Sequence, residues 1–401
     1  MKPFTVLVNR LEAMKIIEEN IKPISRIEEV PLHQASGRVL AEDLVAGFNV
    51  PSFDRASMDG YAVKAADLTG ASYQTPKQLK LVGVRHAGEP YEGILKSGEC
   101  IEIATGSPIP KGADAVIMVE DTKNIQDLVD IYKELKPWDN MAPEGEDIKK
   151  GEIAVKAGYY LNPGRIGAAA ALGYSKLIVY GKPRVAIYST GTEVTPQGEQ
   201  LKPGQVYDIN SYTLTAIVDA NGCIPIRKGV VKDDEDSIRR AIKNATTYEI
   251  GVFSGGSSVG SKDLLGKMVA ELGRVHFHGV QIKPGKPTLF GEVDGKPIFG
   301  MPGYPTSCLS NSYVFLMPTL RKTSRLPPTE LRTTIANLTK PIKNISGREQ
   351  FYTVRVENGK ATPVFKQSGD ITSMTYANGY IIMPIDTSYE NGEDVSVVQL
   401  N

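Results

Sequence analysis

Four short segments between residues 189 and 308 carry the side chains that suit a phosphate-bearing ligand. "STGTEV" (Ser189–Val194) offers the hydroxyls of Ser189 and Thr190, the close backbone of Gly191, and Glu193 beside them. "SGGSSVGSKD" (Ser254–Asp263) packs three glycines and four serines ahead of a helical stretch. Ser254, Gly255, Gly256 and Ser258 there have the composition of an anion cradle at a helix N-terminus, with Asp263 as a cap or a ligand-facing acid. "IKPGKPTLFG" (Ile282–Gly291) places Lys283 and Lys286 on one Pro-Gly turn. In "MPGYPTSC" (Met301–Cys308), Pro302 and Pro305 stiffen a loop that leads to Ser307. Taken alone, a Gly-Gly-Ser loop is a plain turn, a Lys-Pro-Gly-Lys corner is solvated, and Glu193 and Asp263 are helix-start residues. Four such loops on one edge of one expected sheet favour a phosphate-bearing ligand.

A further segment, "PSFDRASMDGYAV" (Pro51–Val63), gathers hydroxyls, carboxylates, an arginine and a glycine before an apolar strand. It reads either as the lining of a cleft or as a capped turn closed by Asp59. The available ligating groups are oxygens, from Asp59, Glu193, Asp233 and Asp263. Carboxylates beside phosphates suit Mg²⁺ rather than zinc. His276 and His278 would share one strand face but have no third ligand nearby. His33 and His86 stand alone, and no Ser-His-Asp or Cys-His pattern is present.

The elements that must position these loops follow from periodicity. "NRLEAMKIIEENI" (Asn9–Ile21) spaces Leu11, Met14, Ile16, Ile17 and Ile21 as one helical face. From Val50 to about Met141 the pattern is β-rich, broken by glycine and proline. A helix is expected over Arg165–Leu172. After Pro183, apolar runs such as "RVAIYST" and "YEIGVFSGG" alternate with helical stretches such as "DSIRRAIKNATT". This predicts βαβ units on a parallel sheet, with ligands at the carboxyl ends of its strands. Beyond about Thr323 the short strands, with "ENGK" as a hairpin turn, predict a small β-barrel.

Composition narrows the function classes. The 401 residues allow roughly two to four domains at ~100–200 residues each. Basic and acidic side chains number 46 each, so no global field draws the chain to nucleic acid or an anionic membrane. Cys100, Cys223 and Cys308 lie far apart, which fits a reducing, cytoplasmic setting. The segment "MKPFTVLVNRLEAM" lacks a signal-peptide core, and no apolar run approaches the ~18 residues of a membrane span. Trp138 is the single tryptophan, expected in a core or interface.

The motifs, in their order, closely resemble the MoeA family of molybdopterin molybdenumtransferases, which includes the E domain of gephyrin-type proteins. Nine segments carry the likeness: "PSFDRASMDGYAV", "ATGSPIPKGADAVIMVED", "GED", "STGTEV", "SGGSSVGSKD", "IKPGKP", "GMPGYPTSC", "GREQFYTVRV" and "YANGYIIMP". The resemblance implies a multidomain α/β plus β chain that dimerises. It implies an extended helical N-terminal domain from residues 1–45 plus 142–182 and an inserted β-rich domain from 46–141. A central parallel-sheet α/β domain, similar to molybdopterin adenylyltransferase, would span 183–323, and a C-terminal β-barrel 324–401. The implied reaction inserts molybdate into adenylylated molybdopterin with Mg²⁺ and releases AMP.

On that resemblance Asp59 reaches an active cleft, with Ser57 and Thr105 supporting it. Glu193, Asp233 and Asp263 handle the cation. Ser254, Gly255, Gly256 and Ser258 hold the phosphates, with Ser189, Thr190 and Gly191 beside them. Lys283 and Lys286 stabilise negative charge, Pro302 and Pro305 shape the wall, and Ser368 enters from the barrel. A molybdopterin adenylyltransferase is the implied pathway partner. The chain departs from the family where "NMAPEGED" has Ala142, Pro143 and Glu144 in place of a usual arginine before Gly-Glu-Asp; Arg55 or Lys149 are its candidate substitutes. The competing readings are a molybdopterin adenylyltransferase, a non-catalytic scaffold and a tungstate-inserting form.

Overall fold

Asn9 starts the first helix, α1 (Arg10–Asn20), by accepting a hydrogen bond from the Glu12 backbone N–H. Its buried positions, Ala13 and Ile17, continue four residues on to Ile21, and all three join one hydrophobic core with Val185, Phe299 and Phe351. Burying Ile17 and Ile21 contributes ~1.5–3 kcal/mol each. Leu11, expected on the same face, is 65% exposed. The computed structural model describes residues 7–86, 88–255 and 264–400. Its chain divides into two compact units, one of residues 1–29, 37–39 and 178–401, the other of 30–36 and 40–177.

The expected extended helical N-terminal domain is corrected. Among the described residues of 7–45 and 142–182, helix is confined to α1, a single 3₁₀ turn at Leu32–Gln34 and α2 (Pro163–Ala171). Short strands at Ile27–Pro31, Leu44–Val45, Ile153–Val155 and Lys176–Tyr180 share these stretches. The apolar face of α1 belongs to the core beneath the α/β sheet, so it does not build a helical domain of its own.

In the unit of residues 40–177, the β-rich reading holds. Its sheet is built from β1 (Gly60–Val63), β2 (Lys77–Arg85), β3 (Glu99–Ile103), β4 (Ala115–Met118), β5 (Thr122–Ile125) and β6 (Leu128–Ile131). They lie in the order β4-β1-β3-β2-β6-β5, with β2 and β3 parallel and the other pairs antiparallel. Strand β1 has neighbours on both sides and all four residues buried. Gly60 is required there by contact: a Cβ would stand 1.9 Å from the Ile117 carbonyl oxygen on β4.

In the other unit, β7 (Arg184–Thr190), β8 (Ile224–Val231), β9 (Ile250–Ser254), β10 (Arg274–His278), β11 (Leu289–Val293) and β12 (Lys296–Met301) form a sheet ordered β8-β7-β9-β12-β11-β10. The first four are parallel, as expected. Strand β11 runs antiparallel to both β12 and β10, which corrects a wholly parallel sheet. The cause is Asp294-Gly295, a two-residue turn with φ of 51° and 70° that can only fold β11 back on β12. Alternation along β7 sends Val185 and Ile187 into one core and Ala186 and Tyr188 into the other. Helices α3 (Asn210–Ala220), α4 (Glu235–Ala245) and α5 (Leu264–Leu272) contribute to these layers. A helical run of α6 (Pro305–Asn311), a π-helical turn (Ser312–Leu316) and α7 (Met317–Thr323) follows β12. Pro318 explains the wide turn, because it lacks the N–H that an α-helix would give to the Val314 carbonyl.

The chain ends in the expected barrel. Strands β13 (Thr333–Leu338), β14 (Glu349–Glu357), β15 (Lys360–Pro363), β16 (Gly379–Met383) and β17 (Asp394–Gln399) run in the order β14-β15-β13-β17-β16, and β16 returns to β14 to close the ring. Asn358-Gly359, at φ 50° and 74°, makes the β14–β15 hairpin. Ile282 and Lys283 pair with Glu349 and Gln350 at the start of β14, which ties the barrel to the α/β sheet.

Candidate functional site

A cavity of about 990 Å³ opens at the carboxyl ends of β7, β9 and β12. It is lined by Ser189, Thr190 and Glu193 after β7, and by Ser254 and Gly255 after β9. Lys283 to Pro287, Pro302 to Pro305, and the barrel residues Arg348 and Phe365 to Gly369 complete it. The volume lies at the upper end of the ~300–1,000 Å³ typical of small-molecule sites. Ser189, Thr190, Glu193, Ser254, Gly255, Lys283, Lys286, Pro302, Pro305 and Ser368 were all expected, and the structure brings them together. Gly191 is not on the wall; its carbonyl accepts the Val194 N–H behind it. Gly256, Ser258 and Asp263 lie outside the described residues.

The carboxylate expected at Asp233 is replaced on this wall by Asp208. Asp233 is half-buried in the turn after β8, beside Asp234, which caps α4 through the Ser237 N–H. Asp208 is 6% exposed, and its Oδ1 accepts from Ser189 Oγ at 2.8 Å and from the Ser211 N–H at 3.1 Å. The Gln197 amide donates to its carbonyl oxygen. The neutral donors Ser189 and Ser211 therefore fix the direction of this carboxylate. Asn210, two residues on, gives its amide hydrogens to Ser254 Oγ at 2.6 Å and to the Gly303 carbonyl at 2.8 Å. It thereby ties three wall segments to one another. "YDIN" directly before a helical run is the signal that reveals these residues, since Asp and Asn favour helix starts.

Four cations face the cavity, Lys283, Lys286, Arg348 and Lys366, against two carboxylates, Glu193 and Asp208. Arg348 and Lys366 carry no sequence signature. Neither Lys283 Nζ nor the Arg348 guanidinium has a hydrogen-bond or ion-pair partner among the described residues. The loop of residues 365–369 is docked on α6, with the Thr306 N–H donating to the Ser368 carbonyl at 3.2 Å. Cys308 lies fully buried in α6, and burial pushes its thiol up to about 12. At neutral pH it is neither a thiolate nucleophile nor a soft metal ligand. The donor set is hard oxygen throughout. Among the described residues no three His, Cys, Asp or Glu side chains cluster for a metal. Two carboxylates and four cations on one wall are donor types of the kind that Mg²⁺ shares with phosphate oxygens.

In the other unit Arg55–Ala56 pairs with Met141–Ala142, and Ala56 also exchanges backbone hydrogen bonds with Gly106 and Ser107. Asp54 Oδ1 accepts the Glu144 N–H at 2.8 Å, so "FDRAS" and "NMAPEGED" are laced together. Asp59 is exposed, and its Oδ1 accepts both the N–H and the hydroxyl of Thr105 at 2.7 Å. The backbone and then the side-chain hydrogen bond from Thr105 hold its carboxyl below the usual range. Ser57 donates its backbone N–H to Asn140. Arg55 is exposed, while Ala142 is buried opposite it in register.

Known proteins match both halves. The MoeA N-terminal region (domain I and II) matches residues 8–173, the molybdopterin binding domain 186–322, and the MoeA C-terminal region (domain IV) 336–400. The molybdopterin molybdenumtransferase of Haemophilus influenzae is 32% identical, over 96% of this chain and 97% of its own. That of Bacillus subtilis is also 32% identical, over 92% and 89%. The crystal structure of a molybdopterin biosynthesis MoeA protein from Pyrococcus horikoshii superposes with a TM-score of 0.85 at 39% identity, covering 98% of this chain and 99% of that one. With the fold, the motif order and full-length relatives in agreement, the chain belongs to the MoeA family.

Proposed function

We propose that this protein is a molybdopterin molybdenumtransferase, which inserts molybdate into adenylylated molybdopterin and releases AMP. The observation that carries the reading is the cavity at the strand ends, where Lys283, Lys286, Arg348 and Lys366 face Glu193 and Asp208. The cations bind the phosphates and the tetrahedral oxyanion by charge-assisted hydrogen bonds. Asp208, held by Ser189 and Ser211, orients a proton or a water beside the phosphoanhydride. Glu193 and Asp208 would hold Mg²⁺, which supplies charge neutralisation at the phosphates. The relatives carrying the transferase name support this over an adenylyltransferase or a scaffold.

The deciding experiment mixes purified protein with adenylylated molybdopterin, Mg²⁺ and molybdate or tungstate, and follows AMP release and metal bound to the pterin. Oxyanion-dependent AMP release is expected. Tight binding without turnover would return the reading to a scaffold. We also infer a cytoplasmic homodimer, handed its substrate by the adenylyltransferase. Sedimentation at micromolar concentration should give twice the 43.5 kDa chain mass.

A further inference from the structure

The turn that carries Lys283 and Lys286 is pinned from behind by one buried amide. Asn311, the last residue of α6, is 0% exposed. Its Nδ2 donates to the Gly285 carbonyl at 2.9 Å and to Thr288 Oγ1 at 2.5 Å. Thr288, also fully buried, donates its hydroxyl back to the Gly285 carbonyl at 2.9 Å. The three groups form a closed ring directly under the tip of the turn. Gly285 has φ +106°, and a Cβ there would stand 2.2 Å from Asn311 Nδ2. The turn is therefore pressed against the amide as closely as a backbone without a side chain permits. Its base is closed by the Val280 N–H on the Lys286 carbonyl and by the Gly279 N–H on that of Thr288.

The same helix begins at Pro305, within the cavity wall, and Asn311 precedes the π-helical turn. One residue thus couples the lysine turn to the helix whose first residue, Pro305, lies in the cavity wall. Lysine side chains are long and lose much rotamer freedom when they bind a phosphate. Fixing their backbone in advance lowers that cost. We propose that Asn311 is a positioning residue, acting through Gly285 and Thr288, that holds Lys283 and Lys286 at the spacing the substrate phosphates require. It touches no substrate, and the inference rests on the transferase reading for the identity of the ligand.

Two arms test it. Amide hydrogen exchange compares residues 279–288 in the parent, Asn311→Ala and Thr288→Val. The turn should exchange at least about tenfold faster in both variants, with β9 and β12 unchanged, since one net hydrogen bond is worth about that factor. A double-mutant cycle on kcat/KM for AMP release then pairs Asn311→Ala with Lys286→Ala. Lys286→Ala should cost roughly tenfold to a hundredfold in the parent and under about threefold in the Asn311→Ala background. Thr288→Val keeps the shape of the pin and serves the same cycle if Asn311→Ala does not fold. Unchanged exchange, or additive losses in folded protein, overturns the proposal. If the parent releases no AMP, the transferase reading fails, while the exchange arm still decides whether the pin exists.

Discussion

Asp208 and Asp59 are both carboxylates held by hydroxyl and backbone donors, yet they sit in opposite surroundings. Asp208 is 6% exposed and takes its hydrogens from Ser189 and Ser211, in the wall of a cavity with four cations. Asp59 stands in solvent at the head of β1 and takes both its hydrogens from Thr105. Water screens the charge of Asp59, so its neighbours fix its direction more than its energy. Around Asp208 the local dielectric is lower and each hydrogen bond is electrostatically stronger. The cavity therefore does its electrostatic work before a ligand arrives, whereas the Asp59 loop presents an oriented group at a surface.

The largest effect should follow loss of the buried charge. Asp208→Asn keeps the shape and most hydrogen bonds, and should lower kcat for AMP release by about 10²–10³-fold, the scale of a preorganised catalytic group. A loss under about threefold would mean that the buried carboxylate only braces Ser189. Next come the cations. Lys283→Ala should raise KM for the adenylylated substrate by roughly tenfold to a hundredfold, as expected for a lost charged hydrogen bond. An effect on kcat alone would place Lys283 at the reacting atoms and not at a bound phosphate.

A smaller effect tests the exposed half of the comparison. Thr105→Val removes the hydroxyl but keeps the backbone donor, so the Asp59 pKa should rise part of the way toward its ordinary 3.8. Because the folded value is depressed, the carboxylate's contribution to stability is complete above 3.8 and fades as pH falls through the folded value. Carboxyl carbon chemical shifts titrated from pH 2 to 6, as an approximate acid range around this value, read the change. A pKa that does not move would show that the backbone N–H alone orients Asp59.

The same contrast governs how much the sequence revealed. Glycine, proline and lysine punctuation exposed the loops after β7, β9, β10 and β12, because those residues carry backbone geometry and charge in their own identity. Asp208 escaped because its partners, Ser189 and Ser211, are brought to it by the fold, and "VYDIN" lacks such punctuation. Asp233 instead lies directly before the N-terminus of α4, where Asp234 caps the helix and Glu235 and Asp236 fill its first turn. Arg348 and Lys366 reach the cavity only because Ile282–Lys283 pairs with β14 and the loop of residues 365–369 docks on α6. The barrel was legible from alternation and Asn-Gly. The antiparallel edge of the central sheet is encoded in Asp294-Gly295, whereas the apolar run of β12 alone reads equally well as a parallel strand.

The smallest expected effect is one in which the two regions should behave alike. Cys100 in β3 and Cys308 behind the cavity are both buried, and burial pushes each thiol up to about 12. Ser254 and Ser312 lower the Cys308 value by hydrogen bonding without reversing the effect of burial. Both thiols are neutral at pH 8 and shielded from reagent, so iodoacetamide should label neither within an hour-scale incubation unless denaturant is added. Labelling located by peptide mass would separate them if the cavity wall opens. Modification of Cys308 alone, suppressed by AMP, would mean that α6 moves away from Ser254 in the free protein. The wall would then be assembled by its ligand, and the preorganised charge at Asp208 would exist only in the bound state. Equal protection of both cysteines without ligand would leave the cavity as rigid as the sheet that carries it.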